Sequence, residues 1–95
     1  MELNRSHYPK ASLKALESAI EHANATPAIR VIGEFRIEHA NSIDTSAKQV
    51  IFWKKSGGIG KAFFWFAKDS VPMEFHRAVE RIKGACLLAE TTMTY

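Results

Sequence analysis

The sequence predicts an α+β domain in which a three-stranded antiparallel sheet, strand order 1-2-3, is flanked by two helices in the chain order α-β-β-β-α. Three observations predict it. Apolar residues recur at three- and four-residue spacing near both ends of the chain, which is the period of a helix face. Between them lies a stretch of strict apolar/polar alternation, the period of a half-buried strand. Two further β-branched and aromatic runs come next, joined by the glycine-rich string Ser56-Gly57-Gly58-Ile59-Gly60.

The first helix is expected over residues 9–24, with Pro9 in the first turn and Leu13, Leu16, Ile20 and Ala23 on one face. Asn24 and Pro27 end it. Lys10 and Lys14 oppose the helix dipole near its start, so this helix depends on packing more than on its own propensity. Residues 28–39 read as the first strand, with Ile29, Val31, Phe35 and Ile37 on one side and Arg30, Glu34, Arg36 and Glu38 on the other. Gly33 falls on the apolar side, where it makes room for a large neighbour or marks a bulge. The polar stretch 40–47 is a loop, and residues 48–55 and 61–68 form a hairpin. Asp69 and Ser70 are positioned to cap a second helix over 71–89, whose stripe is Phe75, Ala78, Val79, Ile82, Cys86 and Ala89. Its other face carries Glu74, Arg77, Glu80, Arg81 and Lys83, which read as a solvated face with weak ion pairs. The expected core is Leu13, Leu16, Ile20, Ile29, Val31, Phe35, Ile37, Phe52, Phe64, Phe66, Phe75, Val79 and Ile82.

A chain of 95 residues makes one domain, here 1–95, with residues 1–8 and 91–95 expected to be flexible ends. One cysteine, Cys86, forms no internal disulfide and points to a reducing compartment. The opening residues lack the apolar stretch of a signal peptide, and the uncharged run 62–67 is too short to span a bilayer. A cytoplasmic protein with no membrane partner is therefore expected.

Catalytic and cofactor chemistry find no motif. The string ending in Lys61 misses a phosphate-binding loop twice, with Lys55 where glycine is needed and Ala62 where a hydroxyl residue is needed. A strand also comes after it, where the anion would need a helix N-terminus. His7, His22, His39 and His76 have no metal-ligand spacing. No catalytic residue, cofactor or metal is assigned, and the chain is read as a non-enzyme.

Charge distribution is more informative than the net charge of +3. Residues 45–68 hold five lysines and no acid, while the rest of the chain carries eight basic and ten acidic residues. The same segment holds six of the ten aromatic residues. A five-residue loop would pair Lys55 with Lys61, placing Ile51, Trp53, Phe63 and Trp65 on one face and Val50, Phe52, Phe64 and Phe66 on the other. A tighter Gly57-Gly58 turn changes which residues of the preceding strand join Phe63. Helices with one apolar stripe each commonly pack on the same face of such a sheet, which leaves the opposite aromatic face open; helices on opposite faces instead make both parities core.

An open face bearing Trp53, Phe63 and Trp65, rimmed by Lys54, Lys55, Lys61, Arg30 and Arg36, has the makings of a single-strand stacking platform. These eight residues are the expected partner-binding set, and the expected partner is a nucleic acid or a nucleoprotein complex. The same features suit a protein interface, for example that of a small inhibitor from a phage or mobile element that blocks a host complex, an anti-CRISPR-type protein among them. A second copy of the chain could also cover the open face as a homodimer, and a small enzyme is the third functional class. The element order is shared with double-stranded RNA-binding domains, which grip phosphates with lysines at the start of the last helix. Here that position reads Asp69-Ser70-Val71-Pro72-Met73-Glu74, so shared order alone implies no common function.

Overall fold

The computed structural model describes residues 10–40, 46–57 and 60–93. The chain runs α1 (Lys10–Ala25), α2 (Pro27–Ile32), β1 (Gly33–His39), β2 (Lys48–Lys54), β3 (Lys61–Phe66) and α3 (Pro72–Met93). The three strands form one antiparallel sheet in the order β1-β2-β3. This is the α+β architecture that the alternation and the terminal amphipathic stripes imply.

One apolar cluster joins every layer. Leu16, Ile20 and Ala23 of α1, Ile29 of α2, and Phe75, Ala78, Ile82 and Cys86 of α3 close over Phe35, Val50 and Phe66 of the sheet. The helices thus share one sheet face, because each has a single stripe to bury. Phe66 meets Phe75 with ring centroids 5.0 Å apart, and Phe35 meets Phe52 at 4.8 Å, both within the range of favourable aromatic pairs. At the start of α3, the Val71 backbone N–H donates to Glu74 Oε1 at 3.2 Å, one half of a capping box. The Ser70 hydroxyl instead accepts from the Ala67 backbone N–H.

Besides this change of cap, the structure differs from the sequence reading in three places. Residues 28–32, expected to begin the first strand, form α2, with Pro27 in its first turn and the Gly33 N–H returning to Ile29 O at its end. Its helical spacing buries Ala28 and Ile29 and leaves Val31, an expected core residue, 58% exposed. Arg30 consequently sits on α2 and not on the sheet. Gly33 then opens β1, where an added Cβ would lie 2.8 Å from the Phe52 ring and collide with the Trp53 carbonyl. Room for a neighbour, not a bulge, accounts for this glycine.

The second difference is the hairpin register. Lys61 pairs with Phe52 and not with Lys55, and Ala62 pairs with Ile51. The pairing then jumps to Val50 with Phe64, so Phe63 is the extra residue of a β-bulge. The third concerns the C-terminal end, where α3 runs on to Met93 through part of the expected tail. The flexible segments expected at 1–8 and at 94–95 lie outside the described residues, as do His7, Gly58 and Ile59. No helix among the described residues is long and apolar enough to cross a membrane.

Candidate binding site at the hairpin end

The sheet face turned away from the helices carries Glu34, Arg36 and Glu38 of β1, Gln49, Ile51 and Trp53 of β2, and Ala62 and Trp65 of β3, as the pairing Glu34–Trp53, Arg36–Ile51, Glu38–Gln49 and Gln49–Trp65 requires. Trp53 is committed to this surface. Its indole N–H donates to Glu38 Oε2 at 2.9 Å, the Arg36 guanidinium lies 5.5 Å from its ring centroid, and an added Cβ at Gly60 would press on its ring and on Ile51. Gly60 thus packs close to the indole, and Arg36 lies over the ring, so neither is left free for an outside group.

Arg36 is committed as well. Its Nε donates to Glu34 Oε2 at 2.6 Å, and Glu38 approaches at 3.9 Å. The hydrogen bond to Glu34, with that carboxylate's charge, raises the Arg36 pKa, so the group stays cationic while its charge is locally compensated. Trp65, 51% exposed, remains the one broad apolar side chain offered to solvent by this face among the described residues. The face is therefore a mixed polar surface, with Glu34 and Glu38 beside Arg36.

Phe63 is not on this face. The bulge turns Phe63 and Phe64 toward the helices together, and both pack against the core. Phe63 meets Phe35 edge-on at 5.3 Å, and the Arg81 guanidinium lies over its ring at 4.7 Å. Expecting Phe63 beside Trp53 and Trp65 rests on a regular hairpin, in which consecutive side chains must alternate.

The cations gather on the helix side of the hairpin end. Lys54 and Lys61 line a cavity of about 440 Å³ between the sheet, α2 and α3, and Arg81 lines it from α3. Lys55 is exposed in the turn after β2. Its backbone N–H donates to Ile32 O at 3.0 Å, which extends the β1–β2 ladder by one bond and presents the side chain outward. No acidic residue is found among the described residues that line the cavity, whose other walls are apolar except for Thr92. Of the expected partner-binding residues, the fold brings Lys54, Lys61 and Phe63 together here, places Lys55 in the adjoining turn, and separates Trp53, Trp65 and Arg36 onto the opposite face. Arg30 is exposed on α2.

Arg81 escapes sequence reasoning because its neighbours on α3 alternate in sign and resemble a solvated stripe. The one signal for it is its position a residue before Ile82 of the buried stripe, at the stripe's flank. Cys86 is buried where α1 and α3 meet, and burial, foremost, pushes its thiol pKa up, with Glu90 adding to the rise and Thr26 opposing it. A thiol held protonated is a poor nucleophile. Among the described residues no group of three or more histidine, cysteine or carboxylate side chains is placed to hold a metal ion.

No family model matches the chain, and no curated protein or solved structure matches it.

Proposed function

We propose that this chain is a non-catalytic binding protein of the cytoplasm that engages a nucleic acid or nucleoprotein complex through the cationic end of its β2–β3 hairpin. The observation that carries this reading is the convergence of Lys54, Lys61 and Arg81 on one surface, beside exposed Lys55, with no acid among the described lining residues. Four cations brought to one surface would neutralise phosphates on binding and release their condensed counterions. On this reading phosphate contact, and not base stacking on tryptophan, supplies the affinity.

Direct binding of labelled single-stranded DNA, single-stranded RNA and duplex, measured by fluorescence anisotropy across a salt series, tests it. The expected result is binding at low salt that weakens as salt is raised, with a slope of log affinity on log salt of roughly 0.7 per phosphate contacted on a single strand. Binding that is undetectable at low salt for every oligonucleotide would remove the reading.

A second reading, a protein-interaction inhibitor, has one specific observation in its favour. Ile32 and Leu88, at 48% and 68% exposure, line the same cavity, and exposed apolar side chains around a concave site are what an interface anchor occupies. Pull-down from the native host with and without nuclease separates the two. Nuclease-sensitive recovery supports the nucleic-acid reading, and a stoichiometric protein partner indifferent to nuclease replaces it with the inhibitor.

A further inference from the structure

The hairpin-end cavity has an origin in the sequence of α3. Its buried stripe is large at Phe75 and Ile82, but at the C-terminal end the positions turned toward the sheet are Ala85 and Ala89. Two small side chains one turn apart leave space between this end of α3 and the Phe52 and Phe63 side of the sheet, and that space is the cavity. Its floor is Ile29 and Phe35, both almost fully buried.

The deep lining is apolar, with Ile29, Phe35 and Phe52 at least partly buried, whereas the cationic groups, Lys54, Lys61 and Arg81, all belong to exposed residues and mark the mouth together with the exposed Ile32 and Leu88. Arg81 is held there by the Phe63 ring beneath its guanidinium. A volume of about 440 Å³ falls in the range of small-molecule sites.

We propose that this cavity binds a small amphiphile with an apolar chain or ring system and one acidic head group, a carboxylate, sulfonate or phosphate monoester. The interior excludes polar bodies, because a buried nucleobase or sugar would lose its hydrogen bonds to water and find no partners on the floor. An apolar body loses nothing by entering, and its burial is favourable in proportion to area. The rim selects the sign of the head group. Two lysines and an arginine with no acid among the described lining residues favour an anion and repel a cation. Arg81, whose guanidinium lies over the Phe63 ring at 4.7 Å, is the residue suited to a bidentate contact with such a head group. The inference stands on the cavity alone and does not depend on the nucleic-acid reading.

Isothermal titration calorimetry with decanoate and with decyltrimethylammonium, equal in chain length and opposite in charge, tests it on the intact chain. Decanoate is expected to bind saturably at one site and at least about tenfold more tightly than the cation, a difference of one to two charge-assisted contacts. Replacing both Lys61→Gln and Arg81→Gln should erase most of that preference while leaving binding of the apolar chain. Ala85→Phe, which fills the cavity from α3, should abolish decanoate binding with the circular dichroism spectrum unchanged; Ala85→Met serves if the larger side chain unfolds the protein. Equal affinity for the two amphiphiles, absence of saturable decanoate binding, or full binding in a folded Ala85→Phe variant would each overturn the proposal. No oligonucleotide enters the measurement, so its failure leaves the nucleic-acid reading standing.

Discussion

Asn24, a helix terminator by its place in the sequence, has a second task in the fold. Its side-chain amide makes two hydrogen bonds with the backbone of Phe35, Nδ2 donating to the carbonyl at 3.0 Å and Oδ1 accepting from the N–H at 2.8 Å. The carboxamide thus satisfies the outward-facing backbone groups of an edge strand, as a neighbouring strand would, and ties α1 to β1. Asn24→Ala strands both groups in a partly buried seam, and its expected cost is about 1–3 kcal/mol. Urea denaturation should show the midpoint falling with the slope unchanged. An unchanged midpoint would mean that water replaces both bonds without loss. Trp53 is a comparable case: its residue type advertises a contact surface, while its N–H and ring face are both occupied within the fold. No spacing rule exposes this, since the hydrogen bond from Trp53 to Glu38 joins one strand to another.

Among the elements, those with long, unambiguous periods are legible in the sequence and the short ones are not. α1 and α3 lie within a few residues of their expected bounds because each presents a sustained helical period, and β2 and β3 do so because each is a β-branched and aromatic run bounded by the glycine-rich string. α2 is not legible, for a physical reason. Over six residues, Ile29 and Val31 flanking Arg30 satisfy a period of two, while Ala28, Ile29 and Ile32 satisfy a helical face equally well. The β-branched residues favour the strand, and burial of Ala28 and Ile29 against the helices decides for the helix. Thr26-Pro27 is a start signal, though adjacency to α1 makes it resemble an end. The candidate site is half legible. Its lysines are a matter of composition, but the face they occupy depends on a bulge that only the fold reveals. That bulge solves the problem posed by apolar residues of both parities in β3, since it sends Phe63 and Phe64 to the same side and returns Trp65 to the other. Deleting one of the two phenylalanines should therefore regularise the strand while Trp65 and Phe66 keep their places. The expected variant keeps the β2–β3 pairing of Gln49 with Trp65, loses about 2–4 kcal/mol with one aromatic side chain, and keeps its tryptophan open to solvent. Acrylamide quenching in a Trp53→Phe background reads this directly, and a Trp65 that becomes protected would place the bulge elsewhere.

At the scale of the whole molecule, charge and core are spatially separate. The buried cluster runs from α1 through the sheet face to α3, and none of its members is charged. On the opposite face the Arg36 charge is balanced by Glu34 and Glu38, while Lys54, Lys55 and Lys61 lie at one end of the sheet, exposed, with no acid in residues 45–68 to offset them. What these three contribute to the fold passes through their backbones: Lys54 pairs with Gly33, Lys61 with Phe52, and the Lys55 N–H bonds Ile32 O. Those bonds survive a change of side chain. A triple Lys→Gln variant should accordingly melt like the parent, each exposed substitution changing stability by no more than about 0.5 kcal/mol. Its binding of a single-stranded oligonucleotide should nonetheless weaken at low salt, and the slope of log affinity on log salt should flatten by about 0.7 for each phosphate contact removed. Parent and variant should converge as salt rises, because the difference between them is screened charge and not lost surface complementarity. A variant that melts normally and binds identically across the whole salt series would reduce the basic hairpin to a solvated edge, whose lysines serve only to keep the sheet from pairing with its neighbours.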